Sequence, residues 1–198
     1  MRYTGPKDRL SRREGVDLFG KGNRLRRLTV PPGQHGPKGF RKVSQYGRQL
    51  REKQKAKRFY GVSEAQFKKY VALASHSRGN TGEKLIELLE RRLDNVVFRL
   101  GFAPTRASSR QLVSHGHILV DSKRVNIPSF LVDRGQTVAL DTCSQAIPEV
   151  KKLLEANEPQ VPLWLERKAA VGRVKEMPRK TDVLEPISEH DIIEFYSR

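Results

Sequence analysis

Cysteine is almost missing from this chain of 198 residues. The lone thiol, Cys143, can close no intramolecular disulfide, which points to a reducing compartment. No apolar run reaches transmembrane length. The opening Met1-Arg2-Tyr3-Thr4 leads into charge rather than into the apolar centre of a signal peptide. A cytoplasmic-type setting is expected, with an organelle interior left open. Hydrophobic residues supply 36% of the positions, so a modest core in one or two domains must carry a large polar surface. There is no glycine-rich nucleotide loop, no HExxH pair and no paired-carboxylate signature, so enzymatic chemistry has no visible footing. The five histidines do not cluster. Acid is scarce where base is dense: residues 1–60 hold 4 Asp or Glu against 18 Lys or Arg, while residues 61–198 hold 18 against 21.

The formal charge is +17. An isolated enzyme gains little from such a field, whereas a protein that meets a phosphate backbone needs one. Residues 1–43 are rich in Gly, Pro and Arg, with Phe19, Leu25, Leu28 and Val30 as their few apolar anchors. Alone, they would struggle to offset ordering entropy and self-repulsion. A disordered tail is one reading. An extended arm ordered against a host is favoured, because turns and anchors are spaced along it. Ser44 can cap a helix from about Gln45 to Tyr60. Its cations Arg48, Arg51, Lys53, Lys55, Lys57 and Arg58 have only Glu52 nearby as a spaced acidic partner. Ser63 with Gln66 makes a capping box for a helix whose inward face is Phe67, Tyr70, Val71 and Ala74.

The centre of the chain is the most patterned stretch. Leu85, Leu88, Leu89, Leu93, Val96, Val97 and Leu100 recur at steps of three and four, which predicts the apolar stripe of one helix closed by Gly101. Arg91, Arg92 and Arg99 fall outside that stripe. Thr105 can cap a shorter helix that Gly116 closes, with Ala107, Leu112 and Val113 inward. Arg106, Arg110 and Gln111 cannot all follow them inward. Residues 117–127 read as a hairpin turning at Asp121-Ser122, and Thr137 to Asp141 as a further short strand. Pro148 can start a helix, and Ser188 begins a last one that includes Ile192, Ile193, Phe195 and Tyr196. Trp164, between two leucines, reads as core or interdomain packing, with stacking on a base as the alternative.

LERRLDNVVFRLGF at 89–102, followed by TRASSRQLVSHGHILV at 105–120, resembles the RNA-binding module of the family of small-subunit ribosomal protein four. RYTGPK, SRREGVDLF, PGQHG at 32–36, YGVSEAQF, GNTGE, PLWLE and IIEFYSR are similar to other blocks of that bacterial-type family. The resemblance covers essentially the full chain. It implies an α+β fold: a mostly helical N-terminal domain with a basic arm, into which a module of packed helices and a small antiparallel sheet is inserted. The expected divisions are an extended arm over 1–43, a helical domain over 44–88 completed by about 170–198, and the module over 89–155. Residues 156–198 would form a C-terminal segment returning to the helical domain.

By the same resemblance, the contacting face of the module is Arg92, Arg106, Arg110, Gln111, His115, Lys123 and Arg124. Arg12, Arg13, Arg48, Arg51, Lys53 and Arg58 form a second ribosomal-RNA group. Ser108, Ser109 and Ser114 are plausible hydroxyl donors. Tyr46 and Tyr60 either stack on bases or pack. In PGQHG no acid or nucleophile stands beside His35, so an RNA-binding loop is favoured over catalysis. The family implies that Lys38, Arg41 and Lys42, just beyond, lie where messenger RNA enters the subunit. It also implies small-subunit ribosomal RNA and neighbouring ribosomal protein five as partners, a role in assembly and decoding accuracy, and in some members repression of its own operon. No membrane, small-molecule substrate, cofactor or metal is implied.

Two departures stand out. Some members carry four N-terminal cysteines with zinc-ligand spacing, and here residues 1–60 contain none, so the chain resembles the zinc-free form. Where the family commonly has Asn-Gly at the hairpin tip, this chain has Asp121-Ser122. Positive φ at a non-glycine residue costs on the order of 1 kcal/mol, so a different turn type is expected. The competing readings are an RNA-modifying enzyme or synthetase that borrows the module, and a nonspecific RNA chaperone. The first lacks a catalytic domain, and the full-length resemblance disfavours the second.

Overall fold

A computed structural model describes residues 3–197 except 23, 24, 26, 40, 41, 156–160 and 184. The chain forms two compact units. One comprises Met1–Gly82 with Glu185–Arg198, and the other is Glu83–Leu184. The second is thus inserted in sequence between the two pieces of the first.

In the first unit, α1 (Lys7–Glu14), α2 (Gln45–Phe59), α3 (Glu64–His76) and the start of α4 (Thr81–Glu90) are joined by α9 (Glu189–Tyr196) from the far end of the chain. The arm expected over 1–43 is therefore not wholly extended. Asp8 in the first turn, Arg12 and Arg13 in the last, and Gly15 in the left-handed region suit a helix even with little apolar period. The caps at Ser44 and Ser63 form as expected, accepting from the Gly47 and Gln66 amides at 3.2 and 3.3 Å. α9 lies along α2: Phe195 packs on Tyr46 with ring centroids 5.6 Å apart, and the Lys53 ammonium sits 4.7 Å over the Phe195 ring.

In the second unit, α5 (Leu93–Arg99) and α6 (Arg106–Ser114) pack on each other and are followed by β1 (Ile118–Val120), β2 (Lys123–Arg124) and β3 (Thr137–Leu140). Then come α7 (Thr142–Gln145), α8 (Pro148–Glu155), β4 (Leu165–Lys168) and β5 (Val171–Val174). The five strands make one antiparallel sheet in the order β2-β1-β3-β5-β4. Leu93, Val96, Val97, Leu100, Leu112, Val113, Ile118, Val138, Trp164 and Val174 are buried in one core. Each such side chain contributes about 1.5–3 kcal/mol of burial. Trp164 is thus a core residue. The α+β class is realised, but residues 156–198 do not act as one segment. Residues 165–174 add two strands to the sheet, and only the end of the chain packs on α2.

The single stripe over 85–100 is split. Arg92 is extended, with φ −61° and ψ 134°, and separates α4 from α5. The peptide groups freed by the break are taken by a distant loop. The Leu93 amide donates to the Phe130 carbonyl at 2.8 Å, and the Val132 amide to the Arg91 carbonyl at 2.9 Å. The hairpin tip also departs from expectation. Asp121 and Ser122 both have positive φ, 46° and 66°, the signature of a type I′ turn. The Asp121 carboxylate holds it by accepting from the Thr137 amide at 2.8 Å and the Thr137 hydroxyl at 3.0 Å. That amide bond is the main reason the Asp121 carboxyl lies below the ordinary aspartate range. Lys123 consequently stays in register, opposite Val120.

Candidate nucleic-acid interface

α6 starts where the Thr105 hydroxyl accepts from the Ser108 amide at 3.2 Å. It ends with Gly116 in the left-handed region, its amide on Val113 and that of His117 on Leu112. This fixes which α6 side chains face out. Behind them lie two acid-based networks. Glu90, fully buried, accepts the Arg99 fork at 2.8 and 3.0 Å and the Asn95 amide at 2.8 Å. Asn95 Oδ1 in turn accepts from Arg106 Nε at 2.8 Å, and the Arg106 guanidinium lies 4.6 Å over the Phe98 ring. In the second network, Asp94 receives Arg92 at 2.7 and 3.1 Å, and Arg110 approaches it at 3.8 Å.

The expected contact residues therefore divide. Arg92 has no exposed surface, and Asp94 holds its guanidinium. Its place is inside the fold, because the break in the stripe turns it inward. Arg106 and Arg110 are partly exposed, braced from behind by Asn95 and Asp94, while Gln111, His115, Lys123 and Arg124 are exposed. The serines are less available than expected. Ser109 is buried and donates to the Thr105 carbonyl, and Ser114 donates to the Arg110 carbonyl.

The first unit shows the same sorting. Arg12 grips the Val30 and Pro31 carbonyls at 2.9 Å each and so fixes the chain leading into PGQHG. Gly36 lies so close to the Pro31 carbonyl that a Cβ would collide with it. Downstream, Lys38 and Lys42 are exposed, and Arg41 lies outside the described residues. On α2 the cations thought to lack partners receive them from other elements. Arg51 and Arg58 converge on Glu14, whose side chain is fully buried. Burial pushes the Glu14 carboxyl above the usual range against the pull of Arg51, Arg58, Arg13 and Lys55. Lys53 and Lys57 bond Glu64 at 2.6 and 2.8 Å. Burial would raise the Glu64 pKa, but the hydrogen bonds from Lys53, Lys57 and Tyr196 outweigh it and bring it to about 2. Arg13 and Arg48 remain exposed, as do Lys68 and Lys69 on α3, which no local pattern singled out. Tyr60 is buried, and Tyr46 is half exposed.

One group among the described residues has metal-ligand spacing: His190, Asp191 and Glu194, with ligand atoms within 4.8 Å of one another. Asp191 already faces Arg48, and Glu194 accepts from Gln49. No helix among the described residues is long and apolar enough to cross a membrane.

A helical pair and small sheet that present braced arginines and exposed cations have the chemistry of an RNA-binding protein. Residues 2–90 match the family described as the ribosomal protein S4/S9 N-terminal domain, and residues 91–138 match the S4 domain. The chain is similar over its whole length to proteins named small ribosomal subunit protein uS4. It is 48% identical to that of Desulfitobacterium hafniense (strain DSM 10664 / DCB-2) over 206 residues, 49% to that of Bacteroides thetaiotaomicron over 199, and 50% to that of Thermoanaerobacter sp. (strain X514) over 206. Each alignment covers 100% of this chain and 99% of the relative. The chain belongs to the bacterial-type uS4 family, a family of structural, non-enzymatic components of the small ribosomal subunit.

Proposed function

We propose that this protein is a primary binder of small-subunit ribosomal RNA and nucleates assembly of the body of the subunit. The observation that carries this reading is the exposed and partly exposed set Arg106, Arg110, Gln111, His115, Lys123 and Arg124, in which Asn95 holds Arg106 at 2.8 Å and the buried Asp94 stands 3.8 Å from Arg110. Cations fixed in advance lose little entropy on binding and can hold RNA helices in one mutual orientation. Arg13 and Arg48, exposed in the first unit, are candidate phosphate contacts of that unit by itself. Lys38 and Lys42, exposed beyond a loop anchored by Arg12, support a place beside incoming messenger RNA. Contact with ribosomal protein five, a contribution to decoding accuracy and repression of the protein's own messenger rest on the family resemblance. A bacterial cytoplasmic ribosome is the corresponding location.

The test is filter binding of the full chain to transcribed small-subunit ribosomal RNA across a salt series. Log affinity should fall with log salt by roughly 0.7–0.9 per phosphate neutralised. Arg106→Ala combined with Arg110→Ala should weaken binding at least tenfold while circular dichroism stays unchanged. Wild-type affinity in that folded double variant would refute the assigned face.

A further inference from the structure

At the end of α6 the surface opens into a cavity of about 270 Å³ lined by Ser114, His115, Gly116, Arg124 and Asn126. It shares His115 and Arg124 with the proposed contact set, and its chemistry differs from that of Arg106 and Arg110. Those two arginines offer donors only, as phosphate requires. The cavity offers both donors and acceptors. The hydroxyl proton of Ser114 is spent on the Arg110 carbonyl at 2.8 Å, so its oxygen faces the cavity as an acceptor. Asn126 carries an amide with one acceptor and two donor positions. Arg124 is pinned by Asp141 at 3.2 Å, which orients its fork and places a carboxylate close by. A bare phosphate would meet the acceptor oxygens of Ser114 and Asn126 unfavourably. Gly116 keeps the cavity open: its φ is 75°, and a Cβ there would press on Arg124 Cδ at 3.2 Å. His115 adds an exposed ring able to stack.

We infer that this cavity receives the base of one unpaired ribonucleotide. Its hydrogen-bonding edge meets Asn126 and Ser114, its face meets His115, and its phosphate meets Arg124. A mixed donor and acceptor set suits a base edge, and only an unpaired base has that edge free. The inference rests on the RNA-binding reading and refines it: the face carries one base-selective position among sequence-blind phosphate contacts.

The probe is the full-length, isotope-labelled protein titrated with each of the four ribonucleoside monophosphates, and separately with inorganic phosphate, at millimolar concentrations. Backbone amide resonances of 114–117 and 124–126 should shift with at least one nucleotide, with the four nucleotides ranked unequally. Phosphate should shift them at least threefold less. Asn126→Ala should weaken the preferred nucleotide at least threefold and level the ranking. If that variant fails to fold, Asn126→Ser serves the same comparison. Equal response to phosphate and nucleotides, or no response to any nucleotide, overturns the inference. Filter binding of the same preparation to ribosomal RNA separates the two levels. Intact RNA binding with a silent cavity sinks only the base site, and absent RNA binding sinks the wider reading.

Discussion

Arg92 separates two accounts of the module most sharply. By resemblance it is an RNA contact, whereas by position it is a buried cation with no exposed side-chain surface, joined to an Asp94 side chain that is 5% exposed. Arg92→Ala would leave that carboxylate inside the core without its main counter-charge. Removing one partner of a buried pair typically costs about 3–5 kcal/mol. Arg110, 3.8 Å from the same carboxylate, offsets part of the loss. The lower end, about 3 kcal/mol, is therefore expected. The chain supplies its own reporter: Trp164 is the only tryptophan and lies in the core of the inserted unit. Its fluorescence follows unfolding of that unit alone. With a urea dependence of about 1–3 kcal/mol per molar, the midpoint should fall by roughly 1–3 M. Arg92→Met combined with Asp94→Leu should recover more than half of the loss, because no unpaired charge remains. An unchanged midpoint with weakened RNA binding would refute the reasoning and return Arg92 to the surface.

Two further outcomes follow from local geometry. Ser122→Gly should stabilise the inserted unit by about 0.5–1 kcal/mol, since Gly adopts the observed φ of 66° without the Cβ penalty, less its own entropy loss. Urea unfolding read by Trp164 checks it, and a lower midpoint would refute the I′ turn. Glu64 titrates at about 2 in the fold against 4.5 ordinarily, so its stabilising contribution is whole above 4.5 and is lost as pH falls through 2. Glu64→Gln should flatten that part of an acid titration of helical circular dichroism, and an unaltered acid limb would refute the Lys53–Glu64–Tyr196 arrangement.

What the sequence made legible was local. Ser44, Ser63 and Thr105 mark helix starts because a cap is satisfied within three residues, and Gly116 marks an end for the same reason. The break at Arg92 was hidden, since the apolar steps from Leu85 to Leu100 run through it unbroken. Its stabilising hydrogen bonds come from residues 130 and 132, far along the chain. The turn type at Asp121-Ser122 was hidden likewise, because a hydrogen bond to Thr137 decides it. β4 was missed because its four residues, LERK, show little apolar alternation. Among the expected contact residues, residue type gave the charge but not its orientation. Lys53 and Arg92 are cations of the expected kind that the fold turns inward.

The placement of acids explains how a chain with charge +17 can fold and still present that charge. Glu14, Glu90 and Asp94 are buried or nearly so, and each meets arginines whose own side chains are mostly or wholly covered: Arg51 and Arg58, Arg99, and Arg92. An acid buried beside arginine neutralises cations that packing has already withdrawn from solvent. It leaves the surface excess almost untouched. Had the same carboxylates been spread over the exterior, net charge would be identical, but the outward field near Arg106, Arg110 and Lys123 would be diluted at a distance of one Debye length, about 8–10 Å. Interior pairing is a weak source of stability, because desolvation cancels much of the Coulomb gain. Its value here lies in geometry: Asp94 and Asn95 hold Arg110 and Arg106 from behind, and both arginines keep partial exposure. Part of the surplus charge therefore sits on Arg106 and Arg110, whose directions are already set, which suits binding a rigid, densely anionic RNA surface.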